Sequence, residues 1–159
     1  RDIKPANILV CRLGPDDDFV KVLDFGLVKH FETPAATLLT SDGWTAGTPA
    51  YMAPEIALGQ ASGDGRADLY ALGCVAYYLL TGQPVFIAAN AMATVLAHVN
   101  ETPVAPSVHS EFEIPPALDA LILDCLAKDP AKRPASAEQL AESLAAVAEI
   151  EQRADARLE

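Results

Sequence analysis

The chain has 159 residues, enough for one ordinary domain, and 51% of them are hydrophobic, so a buried core is within reach. The formal net charge of −11 and a sequence pI near 4.5 give a surface that repels nucleic-acid phosphates and anionic lipid, so neither is expected as a partner. Cys11, Cys74 and Cys125 are far apart and lack metal-ligand spacing; they read as buried reduced thiols, which points to a cytoplasmic setting.

The chain opens on Arg1 in "RDIKPANILV", dense in chemistry with no lead-in, so it is expected to be part of a longer protein. "NILVCR" is β-branched and apolar, "LGPDDD" is a turn signature, and "FVKVLDFG" alternates. Together they predict a β-hairpin from Ile8 to Leu23. From Leu27 to Pro49 the periodicity fades into a Thr-, Gly- and Pro-rich stretch, a long surface loop of the kind that carries function.

Beyond it the pattern is helical. An apolar helix is predicted over Arg66 to Leu80, closed by Thr-Gly, and its run from Leu69 to Leu80 falls short of the about 20 residues a bilayer requires. A second helix is expected over Ala89 to Asn100, then a proline-punctuated connection, "ETPVAPSVHSEFEIPP". Leu118, Leu121, Ile122 and Cys125 recur at helical spacing before Pro130 and read as core. Ser136 and Gln139 form a capping box ahead of a helix with an apolar stripe of Leu140, Leu144 and Val147. "RADARLE" reads as a fraying end. The expected fold class is α+β, mainly α-helical: a hairpin and a long loop in front of a helical body over residues 1–150, with a tail or linker over 151–159.

The chemistry concentrates in "RDIKPAN" and "DFG". Asp2 can accept a proton or orient a hydroxyl, and Lys4 is a point charge suited to a phosphate oxygen. Asn7 and Asp24 offer oxygen ligands from the two sides of one hairpin, suited to a hard cation such as Mg²⁺. A base, a phosphate cation and two Mg²⁺ ligands are what phosphoryl transfer to an alcohol needs.

In order and approximate spacing, "RDIKPAN", "DFG", "GTPAYMAPE", "DLYALG" and "DPAKRP" resemble the eukaryotic-type protein kinases, in the style of bacterial Ser/Thr kinases, from Arg1 to about Val147. The resemblance implies the C-terminal lobe of that fold, with a catalytic-loop hairpin and an activation segment between Asp24 and Glu55. It makes Asp2 the base for the substrate hydroxyl, Lys4 the γ-phosphate contact, and Asn7 and Asp24 the Mg²⁺ ligands. Leu9 lies under adenine by this match, with plain hairpin core as the alternative, and Thr48 bonds Asp2 and Lys4 and helps select the hydroxyl. Glu55 and Arg133 are an anchoring buried ion pair, and Asp68 holds the catalytic-loop backbone, with a simple helix cap as the alternative. Arg1 and Lys29 grip a phosphorylated loop residue, for which Thr40, Ser41 and Thr45 are candidates and Thr40 and Thr45 preferred.

The implied cofactors are ATP and Mg²⁺, and the implied partner is a protein carrying the acceptor Ser or Thr. No glycine-rich loop, strand lysine or helix glutamate of the family's other lobe occurs in the sequence, and "SGDGRA" follows no strand. The 159 residues by themselves are therefore expected to be inactive, a non-catalytic docking or pseudokinase-like module being the alternative. His30, His98 and His109 share no ligand spacing and read as surface or partly packed, and Trp44 as a local anchor. No direct membrane contact is expected of this segment, although the longer protein could be anchored elsewhere.

Overall fold

A left-handed residue reverses the chain early: Gly14, at φ 64°, closes a hairpin in the computed structural model, which describes residues 2–14, 16–23, 48–60 and 64–155. Strand β1 (Ile8–Leu13) pairs antiparallel with β2 (Asp16–Val22), in register from Ile8 opposite Val22 to Leu13 opposite Asp16, with an irregularity between Cys11 and Leu13. The hairpin is where the alternation placed it, but its turn is tighter than predicted. Leu13 pairs with Asp16, so the aspartates assigned to the turn begin β2 instead. The Cys11 thiol lies on this ribbon and is exposed, against the expectation of a buried thiol, because a two-stranded ribbon has no deep side.

The body is helical. After a short helix α1 (Pro54–Ala57) comes α2 (Arg66–Thr81), then α3 (Ala91–Asn100), α4 (Pro116–Cys125) and α5 (Ala137–Asp155). Asp64 starts α2 by accepting from the Arg66 amide at 3.0 Å, and Gly82, at φ 67°, ends it by donating to the Tyr78 carbonyl at 2.8 Å. Asn90 is the N-cap of α3, accepting from the Ala93 amide at 2.9 Å, so α3 begins at Ala91 and not at Ala89. Ser136 Oγ accepts from the Gln139 amide at 3.2 Å, but Gln139 Oε1 reaches back to the Ala135 amide rather than to that of Ser136. Helix α5 continues to Asp155, into the stretch read as fraying, and of its predicted stripe Leu140 is buried while Leu144 is 43% exposed.

The core forms around α2. Tyr70, Cys74 and Tyr77 pack with Ala53, Val85, Phe86, Ala97, Ile122 and Leu126, while Leu69 packs with Cys125 and Leu140. Cys74 and Cys125 are buried as expected, and burial raises both thiols, Cys125 to about 11, so both are protonated and unreactive. Of the long loop expected from Leu27 to Pro49, residues 27–47 lie outside the described residues, His30 and Trp44 among them, while Thr48 and Pro49 open a 3-10 turn, Thr48–Tyr51.

Helices α2 and α4 meet at Gly73, where a Cβ would stand 2.8 Å from the Cβ of Cys125 and 3.3 Å from a Leu126 methyl. Ala is the better helix former by about 1 kcal/mol, yet overpacking a filled core costs about 1–3 kcal/mol. Gly73→Ala is expected to lower the urea midpoint, with a net loss of up to about 2 kcal/mol. A raised midpoint would mean that the helices can move apart freely.

Candidate functional site

Pro5 begins a 3-10 turn, Pro5–Asn7, which folds Asn7 back onto the residues before it. The Asn7 amide donates to the Lys4 carbonyl at 2.9 Å, and the Leu23 amide donates to the Asn7 carbonyl at 2.7 Å, so the end of β2 is tied to this turn. Asn7 Nδ2 donates to the Asp2 backbone carbonyl at 2.8 Å and to Asp2 Oδ2 at 3.0 Å. Lys4 Nζ lies 2.8 Å from the same Oδ2. One carboxylate thus faces an ammonium and an amide, with Asn7 buried and the other two side chains about four-fifths covered.

Both side-chain bonds of Asn7 use the nitrogen, which turns its amide oxygen away from Asp2. That oxygen is the donor type Mg²⁺ takes, so Asn7 fits the expected ligand role. Asp24, the expected second ligand, lies outside the described residues, as do Arg1, Lys29, Thr40, Ser41 and Thr45. Among the described residues no group of three or more His, Cys, Asp or Glu could hold a metal. Leu9, on β1, is 46% exposed. Of Thr48 the backbone is described: it opens a 3-10 turn, Thr48–Tyr51.

The second constellation is long-range. Glu55, in the first turn of α1, receives both ends of the Arg133 guanidinium, Nη1 to Oε1 at 2.7 Å and Nη2 to Oε2 at 2.8 Å. The remaining three N–H groups go to the carbonyls of Ala127 at 2.8 Å, Arg66 at 2.9 Å and Lys128 at 3.2 Å. All five donors of a fully covered guanidinium are therefore used. Its carbon lies 4.8 Å from the centroid of the Tyr70 ring. Asp68 stands in the first turn of α2, whose N-cap is Gly65.

Residues 1–144 match the protein kinase domain family. The chain belongs to that family. The serine/threonine-protein kinase pkn3 of Myxococcus xanthus is 43% identical over 157 residues, 98% of this chain and 28% of that protein. PknB of Mycolicibacterium smegmatis, also a serine/threonine-protein kinase, is 39% identical over 149 residues, 94% of this chain and 23% of its own length. Pkn1 of Myxococcus xanthus is 47% identical over 137 residues, 86% of this chain and 19% of that protein. The kinase-domain chain thus spans about a quarter of the length of the curated relatives it matches. No helix among the described residues is long and apolar enough to cross a membrane.

The kinase domain also holds a buried polar group that the sequence reading placed at or near the surface. His98 is fully buried, and its Nδ1 is 2.8 Å from the Tyr70 hydroxyl. Its ring meets Phe86 and Tyr70 edge-on, at centroid distances of 5.0 Å and 5.7 Å. Lys128 Nζ donates to the His98 carbonyl at 2.6 Å and lies 4.5 Å from the Phe86 centroid. The ammonium thereby closes the C-terminal end of α3. Burial lowers Lys128 to about 8, and burial followed by the Lys128 charge lowers His98 to about 4, so His98 is neutral at pH 7. The available signal was its place three residues after Val95 on the buried stripe of α3. Lys128 and Tyr70 carried no comparable mark.

Removing one partner of a buried pair costs about 3–5 kcal/mol, because it strands the other. Arg133→Ala is expected to lose that much in urea unfolding at pH 7, with strong non-additivity in a double-mutant cycle with Glu55→Ala. An additive cycle would show that the two side chains act separately.

His98 carries the acid sensitivity. Its folded value of about 4 lies below its unfolded value near 6.5, so between them the unfolded chain binds the extra proton. Stability therefore falls as pH drops through this window, by about 3 kcal/mol in full. Urea midpoints taken from pH 7.5 to 4.5 are expected to fall more for wild type than for His98→Gln. Equal falls would assign the acid sensitivity to other groups.

Proposed function

We propose that these residues form the catalytic-loop half of a serine/threonine protein kinase, which moves the γ-phosphoryl group of ATP to a Ser or Thr hydroxyl of a protein. The observation that carries this is the Asp2–Lys4–Asn7 cluster, a carboxylate, an ammonium and an amide held together by one turn. The Asp2 carboxylate orients the acceptor hydroxyl and takes its proton as the oxygen attacks phosphorus. The bond from the γ-phosphorus to the bridging oxygen breaks, and ADP leaves with the electron pair. Lys4 places a point charge beside the base, where the transferred phosphoryl oxygens gather charge.

Asn7 and Asp24 hold Mg²⁺, which when bound neutralises charge on the phosphates. Leu9, exposed on the hairpin, lies under adenine. Thr48 bonds Asp2 and Lys4, and with Lys4 makes the site one for Ser and Thr. Glu55 and Arg133 anchor the end of the activation segment, and Asp68 holds the catalytic-loop backbone. Phosphate on Thr40 or Thr45, with Ser41 as the remaining candidate, is gripped by Arg1 and Lys29 and orders that segment. The activity belongs to the cytoplasm and needs a glycine-rich nucleotide-binding half, so the 159 residues alone are inactive.

Two proteins test this: the 159-residue chain alone, and the same chain joined to such a half. With Mg²⁺-ATP and a Ser/Thr peptide, only the joined protein is expected to transfer phosphate. Asp2→Asn in it is expected to lower kcat by about 10²–10⁴-fold with little change in the KM for ATP. Full activity in Asp2→Asn would remove the proposed base, and Asp2-dependent transfer by the short chain would overturn its inactivity.

A further inference from the structure

His98 is held too firmly, and at too many points, to be filler. Its backbone carbonyl takes the Lys128 ammonium at 2.6 Å, its Nδ1 meets the Tyr70 hydroxyl at 2.8 Å, and two aromatic rings fix the plane of the imidazole. Burial keeps the Tyr70 hydroxyl protonated, so it can donate to Nδ1, and we assign the ring the tautomer in which it does. The proton of the neutral ring then sits on Nε2. That nitrogen is buried and has no hydrogen-bond partner among the described residues, which is a costly state for a polar atom. The backbone of Ala50 bears on the His98 ring, and it belongs to the turn Thr48–Tyr51 against which α3 packs.

We infer that His98 is a positioning residue: its Nε2–H is aimed at the Ala50 carbonyl, so that α3 and Tyr70 set the shape of the Thr48–Tyr51 turn. The inference rests on the reading above that Thr48, in this turn, bonds Asp2 and Lys4 within the activation segment that ends at Glu55. It deepens that reading by naming what holds the turn from beneath. The segment is then gripped twice, at Glu55 by Arg133 and at Ala50 by His98, and both grips rest on the Tyr70 ring, Arg133 on its face and His98 at its hydroxyl. The sequence order makes this effective. Ala50 and Glu55 are five positions apart, so two fixed points define the path between them.

The test compares three substitutions in the 159-residue chain. Gln at position 98 can place an N–H where Nε2 stands. Asn reaches only the position of Nδ1, so it can meet Tyr70 but not Ala50. Phe keeps the packing and removes both polar atoms. The probe is hydrogen exchange of the Met52 amide, which donates to the Pro49 carbonyl at 3.3 Å and reports on the turn, with α2 amides as the reference. His98→Gln is expected to retain wild-type protection at Met52, whereas His98→Asn raises exchange there by about tenfold with α2 unchanged. His98→Phe is expected to match Asn; if it unfolds throughout, the Gln and Asn pair decides. Equal Met52 exchange in Gln and Asn, or exchange raised only in step with α2, would overturn the inference. No phosphotransfer is measured, so failure here is distinct from failure of the kinase reading.

Discussion

The body of this protein depends on one guanidinium with no access to water. Arg133 is withdrawn from solvent, and a charge so placed is tolerable only when every donor is matched. Its five N–H groups reach Glu55 in α1, the Arg66 carbonyl at the start of α2, and the Ala127 and Lys128 carbonyls beyond α4. Glu55 lies 78 positions away in sequence. Displacing any of these elements leaves a buried charge or carbonyl unpaired, so the requirement to satisfy one side chain fixes several helices relative to one another.

Apolar packing makes that arrangement dense. The Tyr70 ring supports the guanidinium on its face and holds His98 through its hydroxyl, so the polar network is set into the hydrophobic core. Gly73 lets α2 and α4 approach so closely that even a methyl group has no room. Lys128 shows the same economy: its ammonium closes α3 and lies against aromatic rings, while its backbone carbonyl serves Arg133.

The Asp2–Lys4–Asn7 cluster is built in the opposite way. A proline-started turn folds six residues into a carboxylate, a cation and an amide, and backbone bonds from Ile8 to Pro5 and from Leu23 to Asn7 tie them to the hairpin. What the body contributes is the platform under Thr48–Tyr51 and Glu55.

The sequence by itself determined what is local. Alternation and a Gly-Pro turn marked the hairpin, apolar periodicity and capping residues marked the longer helices to within a few residues, and the spacing of Asp2, Lys4 and Asn7 marked their cluster, because each depends on neighbours a few positions apart. The "APE" and "KRP" motifs named the Glu55–Arg133 pair through family likeness, without its geometry. Only the tertiary structure decided that Arg133 spends all five donors, that the Cys11 thiol is exposed, that Leu144 faces outward and that His98 is buried against Tyr70. The reason is physical: whether a polar side chain is buried, and with which partner, is set by elements that approach from distant parts of the chain, and no local pattern records where they meet.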